Sequence, residues 1–153
     1  MVYVFCYFRR SKINNILIDF ECDDFVIVNK PHGVLSHPTN TSKELTVSDF
    51  LKDKYNLSGV GDIGREGVVH RLDRVTTGLM VCPINDESFK VFKSMFHDRN
   101  INKYYKALVE GSLKSKTGEI ELPLKRSSKN RKKREVSKDG KNAITKYSTC
   151  LLY

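Results

Sequence analysis

Short apolar runs separated by turn-forming residues organise the first half of the chain. Residues 25 to 29 (FVIVN) form a continuous β-branched run that ends in the turn sequence KPHG, which predicts a buried strand entering a turn. Two further apolar runs, residues 68 to 72 and 78 to 82, flank a polar segment and predict a strand, a bend and a second strand. The pattern therefore places polar loops directly beside strand ends.

Two segments show helical periodicity instead. Thr46 is a candidate N-cap with Asp49 three residues later, and the apolar positions that follow fall on one helical face. A second helix is expected to open at Asp86 and to bury one apolar face. The residues of that face are Phe89, Phe92, Met95 and Phe96.

The second half of the chain reads mainly as antiparallel strands, because its apolar residues are β-branched or alternate with polar ones. The strands are expected at residues 104 to 109, 118 to 122, 134 to 137 and 143 to 147. Together with the two helices, this pattern predicts an α+β fold with a mixed, largely antiparallel sheet and a few helices. A length of 153 residues, of which 39% are hydrophobic and 29% charged, favours one folded domain or part of one.

The net charge of +9 is concentrated in one segment. Between Lys125 and Lys146 lie ten of the 27 lysines and arginines but only two of the 18 acidic residues. Such a cluster favours a polyanionic partner, either nucleic acid or an acidic membrane surface, although most charge runs are simply solvated surface.

The cysteines and the N-terminus bear on the cellular context. The four cysteines are scattered without a C-x-x-C pair, which favours buried free thiols in a reducing compartment over a disulfide framework or a zinc site. The opening MVYVFCYFRR places its apolar run before its arginines, the reverse of a secretory signal, and is too short to span a bilayer. We therefore expect a cytoplasmic protein with no membrane association, and an organellar location stays open.

The candidate chemistry lies in residues 68 to 81 (VVHRLDRVTTGLMV), which carry a histidine, an arginine and an aspartate from an apolar run into a turn. Taken alone, Asp73 would more often cap a turn than act in catalysis. His70 and Asp73 could both be metal ligands, but no third ligand is close in sequence. We therefore expect no metal and interpret His70 as a structural hydrogen-bonding residue.

A glycine motif offers a competing interpretation. Gly59, Gly61 and Gly64 spell G-x-G-x-x-G, a pattern found in dinucleotide-binding loops. Those loops need a strand before the glycines and a helix after them, whereas this segment follows a predicted helix and leads into a predicted strand. We interpret residues 58 to 67 as a flexible loop.

The segment HRLDRVTTG resembles the signature of the RluA-type RNA pseudouridine synthase family. That signature reads His-Arg-Leu-Asp, followed two residues later by Thr-Ser-Gly, and here Thr77 replaces the serine. Three further family blocks occur in order: DDFVIVNKPHGVLSHP at 23 to 38, KYYKALVEG at 103 to 111 and KNAITKY at 141 to 147. Four ordered blocks are far more specific than one motif.

The resemblance implies a catalytic domain of the pseudouridine synthase type. We expect an N-terminal extension at residues 1–19, followed by residues 20–153 as the N-terminal part of that domain. The domain is expected to be incomplete, because the family's later Gly-Arg-Thr-His-Gln segment is absent. Two hypotheses follow: an RNA pseudouridine synthase, inactive or weak in this 153-residue form, or a noncatalytic truncated RNA-binding module.

By the resemblance, Asp73 is the catalytic residue of an isomerase that breaks the N-glycosidic bond of uridine and rejoins the uracil to the ribose through carbon 5. The aspartate would act as a nucleophile toward the nucleoside or as a base on the ribose, and no metal or organic cofactor is implied. Arg71 is expected to enter the RNA where the target base has left. The ring of Tyr105 is expected to pack on the flipped uracil, with its neighbour Tyr104 in the core.

The remaining site residues are assigned to support and to RNA binding. Thr76 and Gly78 of the signature are expected to support the loop together with His70. The basic stretch resembles a basic loop of family members that modify large-subunit ribosomal RNA. Its candidate RNA contacts are Arg131, Lys132, Lys133 and Arg134. The expected partner is RNA, with ribosomal RNA ahead of transfer RNA, and no obligate protein partner is expected.

Overall fold

A computed structural model of the chain describes residues 16–39, 42, 44–130 and 133–150. These residues form two compact units, one up to Tyr104 and one from Tyr105 onward. The first unit contains the strands β1 (Leu17–Glu21), β2 (Phe25–Lys30) and β3 (Gly78–Pro83) and the helices α1 (Val47–Lys54) and α2 (Asp86–His97). The second unit contains β4 (Thr117–Arg126), β5 (Arg134–Val136) and β6 (Lys141–Ser148). The fold is α+β with antiparallel sheets, as predicted. The division into residues 1–19 and 20–153 stays a prediction, and its boundary falls within β1.

The sheet of the first unit has β2 at its centre, paired antiparallel with β1 and β3. Alternate residues of β2, Val26, Val28 and Lys30, are fully buried, and Val28 lies opposite the buried Met80 of β3. Both strands were predicted and are confirmed. Because Lys30 ends β2 opposite Gly78, which begins β3, the turn after β2 and the loop before β3 lie side by side.

Both predicted helices are present, and α1 has the N-cap that the sequence indicated. The Thr46 side chain accepts a hydrogen bond from the Asp49 amide, and the Asp49 carboxylate accepts one from the Thr46 amide, which completes a capping box at α1. Helix α2 begins at Asp86 behind the N-cap Asn85 and contacts β3. Its residue Phe89 is buried in the core of the unit.

Residues 68 to 72, predicted as a strand, form an irregular segment in the structure. Val68 and Leu72 are buried in the core, which accounts for the apolar pattern. Their amides bond to a turn and to a side chain instead: Val68 donates to the Arg65 carbonyl over 3.0 Å, and Leu72 donates to Ser36 Oγ over 3.1 Å. The strand prediction is wrong, because the apolar residues reflect burial and not hydrogen bonding to a neighbouring strand.

In the second unit, β4 lies between β5 and β6, and all pairs are antiparallel. Three of the four strands predicted in this half are confirmed. Ile120 and Leu122 of β4 alternate with Glu119 and Glu121, so the sheet has one apolar and one polar face along this strand.

The fourth predicted strand, at residues 104 to 109, is not formed. Tyr104, expected in the core, is 90% exposed. An alternating sequence becomes a strand only where a neighbouring strand completes its backbone hydrogen bonds. In the part of the chain that the structure describes, no strand pairs with this segment, so the strand prediction and the core placement of Tyr104 are both wrong.

Candidate active site

Asp73 lies on an irregular loop before β3, residues 68 to 77, which we call the Asp73 loop. Its side chain is 81% exposed. Arg71 projects from the same loop with a side chain that is 59% exposed, and its Nη2 lies 3.9 Å from Asp73 Oδ1. The structure therefore brings these two predicted residues together as a long ion pair that a ligand can reach.

The backbone just before Asp73 is held by Ser36, in the turn that follows β2. Ser36 Oγ accepts a hydrogen bond from the Leu72 amide over 3.1 Å and donates one to the Leu72 carbonyl over 3.0 Å. Ser36 is 4% exposed, so water does not compete for either bond. A buried side chain thus holds the residue that precedes the candidate catalytic aspartate.

The backbone just after Asp73 is held by Gly33 in the same turn. The Gly33 amide donates to the Arg74 carbonyl over 2.8 Å, and Arg74 Nε donates to the Gly33 carbonyl over 3.1 Å. Gly33 has φ +84°, a left-handed backbone conformation that residues with a Cβ rarely adopt. Arg74 also forms an ion pair with Glu44, with 2.7 Å between nitrogen and oxygen. The turn after β2 therefore holds both neighbours of Asp73.

A buried lysine lies at the base of this turn. Lys30 is fully buried, and its Nζ donates to the carbonyls of Val34, Pro31 and Arg74 over 2.8, 3.1 and 3.4 Å. Burial lowers the pKa of Lys30 to about 8, and the negative charge of Asp73 acts in the opposite direction. An ammonium has three donors, so three carbonyls satisfy it and tie the turn to the Asp73 loop.

His70 lies at the start of the Asp73 loop as a hydrogen-bond acceptor. Its Nε2 accepts from the Val81 amide over 3.0 Å, and its ring stacks on Phe96 with 4.5 Å between centroids and an interplanar angle of 21°. Burial and, secondarily, the charge of Lys103 lower the pKa of His70 to about 4. The imidazole is therefore neutral at neutral pH and ties the loop to β3.

Thr76 and Gly78 shape the end of the loop. The Thr76 amide donates to the carbonyl of Asp73 over 2.9 Å, which closes a tight turn around the aspartate. Gly78 begins β3 with φ +125° and pairs with Lys30. These contacts fix the course of the chain from Asp73 into the sheet.

The predicted RNA contacts belong to the second unit. Lys133 and Arg134 are exposed at the end of the β4–β5 hairpin, residues 125 to 134, which we call the basic hairpin. Arg134 lies opposite Arg126 in the ladder, and like charges in that position repel each other. The other two predicted contacts, Arg131 and Lys132, lie outside the described residues.

Tyr105 also belongs to the second unit, at its first residue. It is 53% exposed and has no strand partner among the described residues. The exposed ring is accessible to a stacking partner, and its stacking on uracil stays a prediction. The strand in which Tyr105 was expected is not formed.

The glycine motif lies in a series of turns after α1. Gly61 has φ +94° and packs against Phe89, where a Cβ would lie 2.5 Å from the ring. Gly59 and Gly61 line an open pocket of about 440 Å³ together with Lys52 and Tyr55, and no residue of the Asp73 loop lines it. The glycines serve close packing and turns here, not a strand-to-helix phosphate loop.

Sequence reasoning missed the residues that hold the Asp73 loop, namely Ser36, Arg74 and Glu44. Lys30 is the one residue near this loop whose position in the sequence pattern indicated that it has partners. It follows Val26 and Val28 on the inward face of β2, and a charged residue at such a position needs partners.

Neither a metal-binding cluster nor a membrane-spanning helix occurs among the described residues. No group of three or more histidines, cysteines, aspartates or glutamates there is arranged to hold a metal ion. No helix in those ranges is long and apolar enough to cross a membrane.

Comparison with known proteins matches the chain to one family. The family model described as RNA pseudouridylate synthase matches residues 24–151. Ribosomal large subunit pseudouridine synthase D of Borreliella burgdorferi is 38% identical over 144 residues, which cover 89% of this chain and 43% of that protein. The protein of the same name from Zymomonas mobilis is 38% identical over 134 residues, which cover 85% of this chain and 42% of that one. The chain thus spans less than half the length of these relatives.

A solved structure shows the same fold. Human RNA pseudouridylate synthase domain containing 4 matches with a TM-score of 0.57 at 19% identity, over 86% of this chain and 52% of that chain. At this identity, the likeness concerns the fold alone.

Proposed function

The chain belongs to the RNA pseudouridylate synthase family, and on that premise we propose that it converts uridine to pseudouridine in structured RNA, with Asp73 as the catalytic residue. One observation carries the proposal. Asp73 is an accessible carboxylate whose neighbours on both sides, Leu72 and Arg74, are hydrogen-bonded to the turn after β2. A fixed backbone that presents a free carboxylate suits a group that must meet a substrate in one geometry.

The proposed reaction is an isomerisation. The bond between N1 of uracil and C1′ of ribose breaks, the base turns, and C5 bonds to C1′. The hydrogen on C5 leaves as a proton and N1 gains one, so atoms and electrons balance without a cofactor. An anionic carboxylate can add to the nucleoside or remove a proton from the ribose, and both steps require contact with the sugar.

Arg71 and Tyr105 are proposed to handle the extruded nucleotide. The exposed guanidinium of Arg71, 3.9 Å from Asp73, offers a planar surface that can replace a base in the stack. The exposed ring of Tyr105 offers a stacking surface for the uracil. His70, Thr76 and Gly78 support the loop through the contacts described above.

The proposed substrate is large-subunit ribosomal RNA, with transfer RNA second. Two relatives carry names that refer to the ribosomal large subunit. The basic hairpin suits the phosphates of a folded RNA. Its predicted contacts are Arg131, Lys132, Lys133 and Arg134. A cytoplasmic location is part of the same proposal, since that is where such an RNA would be met.

A noncatalytic RNA-binding module is the second candidate function. The basic hairpin favours it, because the hairpin belongs to the second unit whereas Asp73 belongs to the first. RNA binding through the hairpin therefore does not require the candidate catalytic residue.

Release of tritium from RNA that contains 5-tritiated uridine distinguishes the two candidates, because the hydrogen on C5 leaves in the reaction. The protein that carries this sequence is expected to release tritium from a large-subunit ribosomal RNA transcript, and less from a transfer RNA transcript. Binding to both RNAs with no release from either would contradict the synthase and support the binding module.

A further inference from the structure

Arg74 and Glu44 form an ion pair beside Asp73 that the proposed reaction does not use. Arg74 directly follows Asp73, and its Nη2 lies 2.8 Å from Glu44 Oε1 and 2.7 Å from Oε2. We propose that Arg74, held by Glu44, is a positioning residue that anchors the loop backbone at the residue following Asp73 and so directs the Asp73 carboxylate. This inference rests on the proposed function, in which Asp73 is the catalytic residue.

Arg74 ties the Asp73 loop to the turn after β2 with two hydrogen bonds. Its carbonyl accepts from the Gly33 amide over 2.8 Å, and its Nε donates to the Gly33 carbonyl over 3.1 Å. One bond uses the backbone of Arg74 and the other uses its side chain, so the two residues close a ring. The backbone and the side chain of Arg74 are therefore both anchored to the same residue of the turn after β2.

Glu44 limits the remaining freedom of the guanidinium. A planar guanidinium directs the separate nitrogens Nε and Nη2 at two acceptors in a fixed geometry, whereas a lysine presents all of its donors from one nitrogen. Here the two acceptors are the Gly33 carbonyl and the Glu44 carboxylate, which lie 41 and 30 positions away from Arg74 in the sequence. The side chain therefore joins three separate segments of the chain at the residue next to Asp73.

Phosphate binding is the simpler interpretation of an arginine at this place in an RNA-modifying protein. The geometry favours positioning instead, because Arg74 Nη2 already faces both oxygens of Glu44, and that carboxylate repels an incoming phosphate. The side chains of Arg74 and Glu44 are 51% and 52% exposed, so the pair adds little to stability. A kinetic effect would therefore not be a consequence of unfolding.

Replacing Glu44 with glutamine separates the two roles. Glu44→Gln keeps the length of the side chain and removes its charge. If Arg74 positions Asp73, kcat should fall by about threefold to tenfold while KM stays within about twofold, because displacement of a reacting group slows the chemical step. If Arg74 binds phosphate, the same substitution removes a competitor, and a lower KM at unchanged kcat would overturn the proposal.

Replacing Arg74 itself tests the need for two acceptors. Arg74→Lys keeps the positive charge but loses the planar geometry, so it should lose roughly tenfold in kcat, close to the loss in Arg74→Met. Wild-type kcat in Arg74→Lys, combined with a loss in Arg74→Met, would show that charge alone matters and would overturn the proposal. Asp86→Asn is the matched control, since it breaks an exposed pair with Lys90 of 2.6 Å on α2 and should change neither kcat nor KM.

Amide hydrogen exchange gives a readout that does not depend on turnover. The amides of Gly33 and Thr76 donate to the carbonyls of Arg74 and Asp73 over 2.8 and 2.9 Å. In Arg74→Met both should exchange roughly tenfold faster, because the loop opens more often. Unchanged exchange at both amides would overturn the proposal. Normal turnover in Asp73→Asn would instead refute the proposed function, and exchange alone would then decide whether Arg74 holds the loop.

Discussion

Replacing Lys30 with methionine should change how the free energy of unfolding depends on pH. Methionine has a similar length and no charge. In the wild type, burial lowers the pKa of Lys30 from an ordinary 10.5 to about 8. Between these two pH values the unfolded chain binds a proton that the native protein does not bind. The wild type therefore gains stability as the pH rises through this window, and Lys30→Met lacks that gain.

The magnitude follows from the two pKa values. Each unit of pKa difference is worth about 1.36 kcal/mol, so the full gain is at most about 3.4 kcal/mol. Starting from pH 7, the gain is about 1.4 kcal/mol at pH 9 and about 2.5 kcal/mol at pH 10. At any single pH two effects oppose each other, because methionine relieves the burial of a charge but leaves three carbonyls without their donor. The slope with pH isolates the first effect.

Urea unfolding of both proteins at pH 7, 8, 9 and 10 measures this slope. The stability of the wild type minus that of Lys30→Met should rise by about 1.4 kcal/mol from pH 7 to pH 9. Lys52→Met is the control: burial lowers the pKa of Lys52, but its contacts with Asp49 and Glu66 outweigh burial and raise it. The stability of the wild type minus that of Lys52→Met should therefore not rise between pH 7 and pH 9. If the difference between the wild type and Lys30→Met stays constant or falls as the pH rises, burial does not lower the pKa of Lys30.

Three further predictions concern the loop and the hairpin. The pKa of His70, about 4 against an ordinary 6.5, means that the unfolded chain binds a proton first as the pH falls. The free energy of unfolding of the wild type should therefore fall by up to about 3 kcal/mol between pH 6.5 and 4. An equal fall in His70→Gln, measured by urea unfolding, would contradict this. Ser36→Ala should lower the free energy of unfolding by about 1 to 3 kcal/mol, because the Leu72 amide and carbonyl lose their buried partner; a calorimetric loss near zero would argue against that contact. If about half of the ten basic side chains between Lys125 and Lys146 contact phosphates, log affinity for ribosomal RNA should fall against log salt with a slope on the order of −4. Alanine at Arg131, Lys132, Lys133 and Arg134 should flatten that slope with little change in stability, and an unchanged slope in filter binding would make the basic hairpin a solvated face.

The elements that local patterns specify could be predicted from the sequence. Strand β2 is a β-branched run, and α1 carries a capping box whose two hydrogen bonds lie within four residues. These signals depend on neighbours in the chain, so they survive without knowledge of the tertiary structure. The predicted grouping of Arg71 with Asp73 has the same basis, because both lie on one short loop.

The errors arise where structure depends on distant partners. Val68 and Leu72 are apolar because they are buried, and the Leu72 amide donates to Ser36, which lies 36 positions away. The residues that hold the loop, Arg74 and Glu44, are paired over 30 positions and leave no periodic trace in the sequence. An apolar pattern reports burial but not the partner that a backbone amide will find.

Turnover by Asp73→Asn on large-subunit ribosomal RNA, in a complete version of this domain, tests the central claim most directly. Asparagine keeps the shape of the side chain and removes the anion, so tritium release from 5-tritiated uridine should fall below detection while RNA affinity stays within about twofold of the wild type. Asp53→Asn, which changes an exposed carboxylate on α1, should keep the wild-type rate. Near-normal tritium release by Asp73→Asn would contradict the assignment of Asp73 as the catalytic residue.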